Sequence, residues 1–222
     1  MTSGQFSLHR EIGANLTRVF SYVVEHDQGF APNPYGDFCS LANCKPKIRS
    51  VAGVGDYLLG TGATAEGLQN SIIYWMKVSE VLHFDTYWAD PRFSRKKPNL
   101  RGSRILRFGD NIYHTDPKGA IQQADSFHSM EGGKASIPNL NRDVGTTQRV
   151  LVASDFLYFG RRAPKVPEHL RFLIKRGPGH KCRFPQERVD LIIDWLESFD
   201  ERGFVGLPSK WKDLPLGERR SI

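Results

Sequence analysis

Runs of β-branched, aromatic and other apolar residues recur along the chain and predict a set of β-strands. The first two are Arg18–Glu25 (RVFSYVVE) and Asp56–Thr61. In the long run Ile72–Phe84 both alternating faces are apolar at the start, which is typical of a strand buried on both sides, as in the wall of a small barrel. Ser103–Phe108 and Arg149–Phe159 complete the predicted strands.

Helical spacing of apolar residues appears late in the chain. A short helical turn is predicted over Asp85–Asp90, where Pro91 ends it. The main predicted helix covers residues 185–202, with Pro185 near its start and Gly203 as its stop signal. Its apolar face consists of Val189, Ile192, Ile193, Leu196 and Phe199.

Three segments lack a regular period, and two of them are long. Residues 26–49 are dense in Gly, Pro, Asn and Cys, and residues 109–147 form a second polar excursion. Long irregular loops in compact domains are usually functional. The glycine-rich turn Gly60–Gly67 (GTGATAEG) lacks the Lys-Ser/Thr of a Walker loop, so we expect it only to let the backbone approach a ligand.

These patterns predict an α+β chain with a single domain over residues 18–222 and a flexible arm over residues 1–17. No run of residues is long and apolar enough to be a signal peptide or a membrane span, so no membrane partner is expected. The odd number of cysteines, three, favours a reducing compartment, and we expect a cytoplasmic protein. The oligomeric state is left open.

Charge changes this picture, because the formal net charge is +7. An excess of this size favours an anionic partner, either nucleic acid or a nucleotide, over an ordinary basic surface. The cations concentrate in residues 92–107 and 161–183, with aromatic residues nearby, as expected for phosphate contacts beside stacking surfaces. The candidate phosphate-binding residues are Arg92, Arg95, Lys96, Lys97, Arg161 and Arg162.

Several motifs together resemble a known family. The pattern VGDYLLGTG followed by IIYWMKVSEVLHF is similar to the strand framework of EVE and YTH domains, which belong to the PUA-like superfamily. With the flanking motifs HDQGFAPNPYGDFCSLANCKPKIR, TYWADPRFSRKKP, GDNIYH and LYFGRRAP, the chain resembles the bacterial and phage family called nucleotide modification associated domain 2. The resemblance implies a small PUA-like β-barrel with long loop insertions and a C-terminal helix, and a role near modified nucleic acid.

A PUA-like pocket that accepts a base needs aromatic walls and polar groups at the base edge. The resemblance therefore suggests a base pocket formed by Asn33, Tyr35, Trp75, Trp88 and Asn111. The alternative is that Trp75 belongs to the core and that Asn33 is a turn residue.

Two kinds of chemistry are open to the polar residues of the loops. Catalytic candidates are His26, Asp27, Cys39 and Asp110, since imidazole, carboxylate and thiol groups supply bases and nucleophiles. His114 and His128 are further imidazoles on which such a mechanism could draw. A less favoured zinc site would use Cys39, Cys44, His180 and Cys182, although their spacing is not that of a CxxC site. Buried free thiols are the alternative, and no cofactor is expected.

The charge pattern therefore predicts a domain that binds nucleic acid or a nucleotide, and the resemblance implies that it recognises a modified or flipped base in a DNA-modification or phage-related system. The alternative function is an enzyme that modifies or removes a base with groups of the 26–49 loop. A third is an interaction protein that does not contact nucleic acid itself.

Overall fold

The computed structural model describes residues 16–213. The predicted arm over residues 1–17 therefore lies, except for its last two residues, outside the described part. Eleven strands are described: β1 Val19–Val24, β2 Cys39–Leu41, β3 Tyr57–Gly62, β4 Ile72–Lys77, β5 Glu80–His83, β6 Tyr113–Thr115, β7 Ile121–Gln123, β8 Arg149–Ala153, β9 Asp155–Tyr158, β10 His180–Lys181 and β11 Gly203–Phe204. The α-helices are α1 Pro46–Arg49, α2 Phe84–Ala89, α3 Arg104–Arg107, α4 Ile137–Val144 and α5 Gln186–Glu197, beside several short 3₁₀ turns.

The main sheet has six strands in the order β10-β1-β3-β4-β9-β11. Strands β1 and β3 run parallel in register from Val19 opposite Tyr57 to Val24 opposite Gly62, so their carboxyl ends lie side by side. A second sheet has the order β2-β8-β5, and β6 pairs with β7. The predicted α+β class is confirmed, but the described strands form no closed barrel.

Two long chain segments each contribute to both larger sheets. The predicted strand Ile72–Phe84 is in fact β4 and β5, and the predicted strand Arg149–Phe159 is β8 and β9. The break comes at Val78–Ser79 in one segment and at Ser154 in the other, and the Ser79 amide donates to the Val152 carbonyl across it, at 2.8 Å. In both segments the hydrophobic run predicts the extended backbone correctly, but it does not reveal that the chain passes from one sheet to the other.

Both faces of the main sheet are buried. One face packs with β2 and α1, through Tyr74 and Met76 of β4 among others. The opposite face packs against α5 and the turn at Glu168–Leu173, and Trp75 of β4 belongs to this cluster. A third apolar cluster lies around α2, β8 and Trp211. Burial on both sides explains the run of apolar residues on both faces of β4.

Two predicted elements need correction. Ser103–Phe108 is not a strand, because residues Arg104–Arg107 form the helical turn α3 with Ile105 40% exposed to solvent. A run of this length cannot separate strand from helix by its period alone. The late helix is α5 and ends at Glu197, earlier than the predicted residue 202, while the short helical turn at residues 85–90 is confirmed as α2.

The two irregular segments contain more structure than their composition suggests. Residues 26–49 include β2 and α1, and residues 109–147 include β6, β7 and α4. Over residues 16–213, no helix has the length and hydrophobicity needed to cross a membrane.

Candidate functional site

A cleft of about 700 Å³ lies where the parallel strands β1 and β3 end. Val23 and Glu25 come from the end of β1, and Gly62–Ala65 continue from β3. The segment 174–179, which leads into β10, forms the facing wall. The carboxyl ends of neighbouring parallel strands are a frequent place for ligand sites, because the chain leaves the sheet there in loops.

Cations outnumber anions in this cleft. Among the described residues, Lys45, Lys175 and Arg176 line it, against one acidic residue, Glu25. The Nζ atom of Lys45 lies 4.7 Å from the centre of the Tyr22 ring and 3.5 Å from the Val23 carbonyl oxygen. Burial lowers the pKa of Lys45 from its ordinary value, and an anion beside it would favour the charged form. The cleft is therefore a positively charged recess at the end of the sheet.

Glycines bring the backbone close to the cleft on both walls. A Cβ atom at Gly62 would lie 2.3 Å from the Leu68 carbonyl oxygen, so only glycine fits there. On the other wall, Gly177 and Gly179 have φ angles of 71° and 87°, a conformation that side chains disfavour. Glycine is thus required on both walls, on one by a close backbone contact and on the other by the backbone conformation.

A second constellation starts one residue away from the cleft, at Cys44. Its Sγ atom lies 4.0 Å from Nε2 of His128, and Nδ1 of His128 lies 3.0 Å from Oδ2 of Asp143. His128 is 7% exposed and Asp143 is fully buried, while Cys44 is partly exposed. Residues from the 26–49 loop, the excursion and α4 therefore meet as thiol, imidazole and carboxylate.

The Asp143 carboxylate is held by many donors. The Cys44 amide and Nε of Arg142 donate to Oδ1 at 2.8 Å and 3.0 Å, and the Tyr113 hydroxyl donates to Oδ2 at 2.9 Å. Burial opposes its charge, but hydrogen bonds from His128 and Arg142 outweigh this and lower the pKa of Asp143 to about 2. Burial, followed by the charge of Asp143, raises the pKa of the Cys44 thiol to about 11. At neutral pH the carboxylate is therefore ionised and the thiol keeps its proton.

Arg49 connects this constellation to the fold. Its side chain is fully buried and donates to the carbonyl oxygens of Cys44 at 2.9 Å, of Arg149 at 2.7 Å and of Asp143. The guanidinium thus satisfies three backbone acceptors from separate parts of the chain.

The predicted site residues Asn33, Lys96 and Asp110 form a buried polar network. Lys96 is 5% exposed and donates to Oδ1 of Asn33 at 2.7 Å and to its carbonyl oxygen at 3.1 Å. Asp110 is fully buried and accepts from Ser40 at 2.7 Å and from Tyr87 at 2.8 Å. Burial raises the pKa of Asp110 and lowers that of Lys96, while each opposes the other's shift. This network ties the 26–49 loop to residues 87–110.

The structure does not place the five predicted base-pocket residues around one cavity. Asn111 is 1% exposed and donates to the Tyr87 carbonyl oxygen at 2.9 Å. Trp75 is fully buried in the core, and Tyr35 is 7% exposed beside Trp211. With Asn33 in the buried network, these side chains are parts of the folded interior.

Of the five predicted base-pocket residues, Trp88 is the one that is partly exposed, and side chains of neighbouring residues cover its ring. The His114 ring stacks on it with the centres 4.0 Å apart and 13° between the planes, and Nζ of Lys97 lies 4.0 Å from the same ring centre. Because a stacked imidazole fills one face, the ammonium group lies on the other. A base could stack on Trp88 only after Lys97 moves away.

The other predicted phosphate-binding residues are spread over the surface. Arg92 is engaged by Glu80 and Asp90, with ion-pair distances of 2.8 Å and 2.7 Å. Arg162 donates to the Val205 carbonyl oxygen at 2.9 Å. Arg95 and Arg161 are exposed. Phosphate binding by these exposed cations stays a prediction, and none of them lines the cleft.

The predicted catalytic residues are also dispersed. His26 is exposed, whereas Asp27 is buried, where it accepts from the Tyr158 hydroxyl and from the Ser209 amide at 2.8 Å. Burial raises the pKa of Asp27. Cys39 is fully buried in β2, which raises the pKa of its thiol to about 12. Within residues 16–213, the one group of three or more potential metal ligands that lie together is Cys44, His128 and Asp143, and not the predicted set with His180 and Cys182.

Comparison with protein families assigns the chain. The family model called nucleotide modification associated domain 2 matches residues 16–214, which is most of the chain. The chain belongs to this family. Neither the curated proteins nor the solved structures contain a match to the chain. The predicted family is thus confirmed, and its description is consistent with a role in systems that modify nucleotides.

The family motifs did not reveal Lys45, His128 and Asp143. Lys45 follows Cys44 in the motif NCKPKIR and has a positive φ angle of 42°, as Cys44 has one of 56°. His128 and Asp143 lie 84 and 99 residues beyond Cys44. The sequence offered Cys44 in an irregular loop and His128 as one of several histidines, but nothing local pairs the two or indicates Asp143.

Proposed function

We propose that this member of the family binds the phosphate of a nucleotide, free or within a strand, in the cleft at the ends of β1 and β3. The observation that carries the proposal is the excess of positive charge in the cleft, where the lining residues described include Lys45, Lys175 and Arg176 and one acidic residue, Glu25. Clustered cations in a recess concentrate anions, and phosphate contacts supply affinity that does not depend on sequence.

The size and lining of the cleft support the same ligand class. About 700 Å³ is within the usual range for small-molecule sites, so a nucleotide fits by volume. Gln69 and Asn70 contribute to the wall beside Gly62, and their amide groups both donate and accept hydrogen bonds. We infer that they face the base while the cations face the phosphate. Recognition of a modified or flipped base belongs to this proposal.

A PUA-like origin of the framework is also part of the proposal. It is supported by the motif VGDYLLGTG, in which Gly55 has a φ angle of 89° and its amide donates to the Val78 carbonyl oxygen at 2.9 Å. This turn leads directly into β3, as the resemblance implies.

Neutralising the cleft should weaken binding for every nucleic-acid sequence. In the triple variant Lys45→Gln, Lys175→Gln and Arg176→Gln, we expect affinity for a fluorescent single-stranded oligonucleotide to fall at least about ten-fold at low salt. The slope of log affinity against log salt should flatten by about 0.7 for each phosphate that the variant no longer neutralises. Fluorescence anisotropy at several salt concentrations measures both quantities.

The matched control is the double variant Lys118→Gln and Lys134→Gln, since both residues are exposed in the excursion and away from the cleft lining. The control should bind as the unaltered protein does. Losses of affinity in proportion to the charges removed, three in the cleft variant and two in the control, would show that only overall charge matters. An unchanged salt slope in the triple variant would contradict the assignment of the cleft.

A further inference from the structure

The constellation of Cys44, His128 and Asp143 has the order of groups found in nucleophilic triads. The thiol faces one imidazole nitrogen at 4.0 Å, and the other nitrogen faces an ionised carboxylate at 3.0 Å. In such triads the base takes the proton of the nucleophile, and the carboxylate fixes the orientation of the imidazole ring. We propose that Cys44 is a nucleophile, with His128 as its general base and Asp143 as the residue that positions His128.

The environment of the carboxylate favours this role over a metal site. Each Asp143 oxygen already accepts at least two hydrogen bonds, from the Cys44 amide and Arg142 on one side and from Tyr113 and His128 on the other. A metal ion at Cys44 and Nε2 of His128 would therefore lack a third ligand from this group, beside the Arg142 guanidinium at 3.4 Å from Nε2. Structural zinc sites use four protein ligands and catalytic ones three.

The backbone at the nucleophile is held in a costly conformation. Cys44 and Lys45 have φ angles of 56° and 42°, in the left-handed region that residues with a side chain rarely adopt. The Cys44 amide donates to Asp143 and its carbonyl oxygen accepts from Arg49, so both of its peptide groups are fixed. The thiol is thus held in place relative to His128 by contacts that do not involve sulfur.

The class of substrate follows from the chemistry of the groups. A protonated thiol beside a base suits attack on the carbonyl carbon of an activated acyl group. Sγ forms a bond to that carbon while the carbonyl π electrons move to oxygen, and the thiol proton passes to Nε2 of His128. Collapse of the tetrahedral adduct breaks the bond to the leaving group, which takes this proton, and leaves a thioester on Cys44.

A second reaction must release the thioester. An amine or water attacks the carbonyl carbon, gives its proton to His128, and the thiol leaves with a proton returned from the same imidazole. Lys45, the residue after Cys44, lines the cleft. The acyl donor, or the amine that accepts the acyl group, would therefore carry a phosphate. This last point rests on the proposed function, whereas the nucleophile itself does not.

A small acyl donor without phosphate tests the nucleophile independently of the cleft. The full chain is treated with p-nitrophenyl acetate, the release of p-nitrophenolate is followed, and acetylated cysteines are located by peptide mass spectrometry. We expect Cys44 to be acetylated at least about ten-fold faster than Cys182, which is also partly exposed. His128→Gln should slow the reaction of Cys44 about 100-fold, within the usual range for removal of a general base.

Two serine variants complete the design. Cys182→Ser should leave the reaction of Cys44 unchanged, and Cys44→Ser, which is nearly isosteric, should abolish the rapid phase. Circular dichroism shows whether each variant is folded. Should the His128 variant fail to fold, the comparison of Cys44 with Cys182 within the unaltered protein still decides the question.

Acetylation of Cys44 no faster than that of Cys182, or at the same rate in folded His128→Gln, would overturn the proposal. So would one equivalent of Zn²⁺ bound by the unaltered protein and absent from Cys44→Ser. Failure of acetylation with normal oligonucleotide binding would contradict the nucleophile alone and leave the cleft assignment intact.

Discussion

Replacing Lys96 by Met should lower the free energy of unfolding by about 3–5 kcal/mol. This loss is large for a residue of the basic segment 92–107, whose side chains the sequence suggests are exposed. Its ammonium group is buried and donates to both the carbonyl and the side-chain oxygen of Asn33. The variant would leave these acceptors without a donor and would remove the positive charge that offsets the buried Asp110 carboxylate. Urea denaturation of the two proteins measures the difference.

Lys97→Met provides the matched control, because Lys97 is the next residue and is partly exposed over Trp88. We expect little change in its stability. Equal stability of Lys96→Met and Lys97→Met would contradict the buried network. The result also bears on function, because weaker oligonucleotide binding by Lys96 variants would follow from unfolding and not from the removal of a phosphate-binding cation.

Replacing Arg49 by Met should destabilise the protein by about 3 kcal/mol or more. The substitution removes the donor to three backbone carbonyls, those of Cys44, Arg149 and Asp143, and each buried acceptor left unpaired costs about 1–3 kcal/mol. Arg49→Lys should recover only part of this loss, because one ammonium group cannot reproduce the planar arrangement of the guanidinium. Denaturation curves of both variants give the comparison.

Lys47→Met is the control for Arg49, since it lies in the same short helix and is exposed. It should unfold at nearly the same urea concentration as the unaltered protein. Full stability of Arg49→Lys would show that charge alone holds this region, and full stability of Arg49→Met would contradict the described hydrogen bonds.

The strands that bury both faces were predictable from the sequence because burial leaves a local pattern. The runs at Arg18–Glu25 and Asp56–Thr61 correspond to β1 and β3, and the late helix to α5. The bends at Ser79 and Ser154 were not predictable, because a change of sheet depends on pairing with distant strands and leaves hydrophobicity unchanged. The helix at Arg104–Arg107 was missed because so short a run fits either period.

The candidate site was predictable only in part. The loop at residues 26–49 does supply Cys44 and Lys45, and the basic segment at residues 161–183 supplies Lys175 and Arg176. The sequence could not show that Lys96 is buried, since charge runs are ordinarily solvated. It could not pair Cys44 with His128 and Asp143 either, because contacts between residues 84 and 99 positions apart are set by the fold and not by local spacing.

The most direct test of the central claim is to locate the bound nucleotide by NMR. Amide chemical shifts of the 222-residue chain, labelled with ¹⁵N, are followed while thymidine monophosphate is added. We predict saturable shifts at Gly62, Gly177 and Gly179 and at neighbouring residues of the cleft, with few changes in residues 92–107. Shifts confined to residues 92–107 or around Trp88, or no saturable shifts up to millimolar nucleotide, would contradict the assignment of the cleft as the nucleotide site.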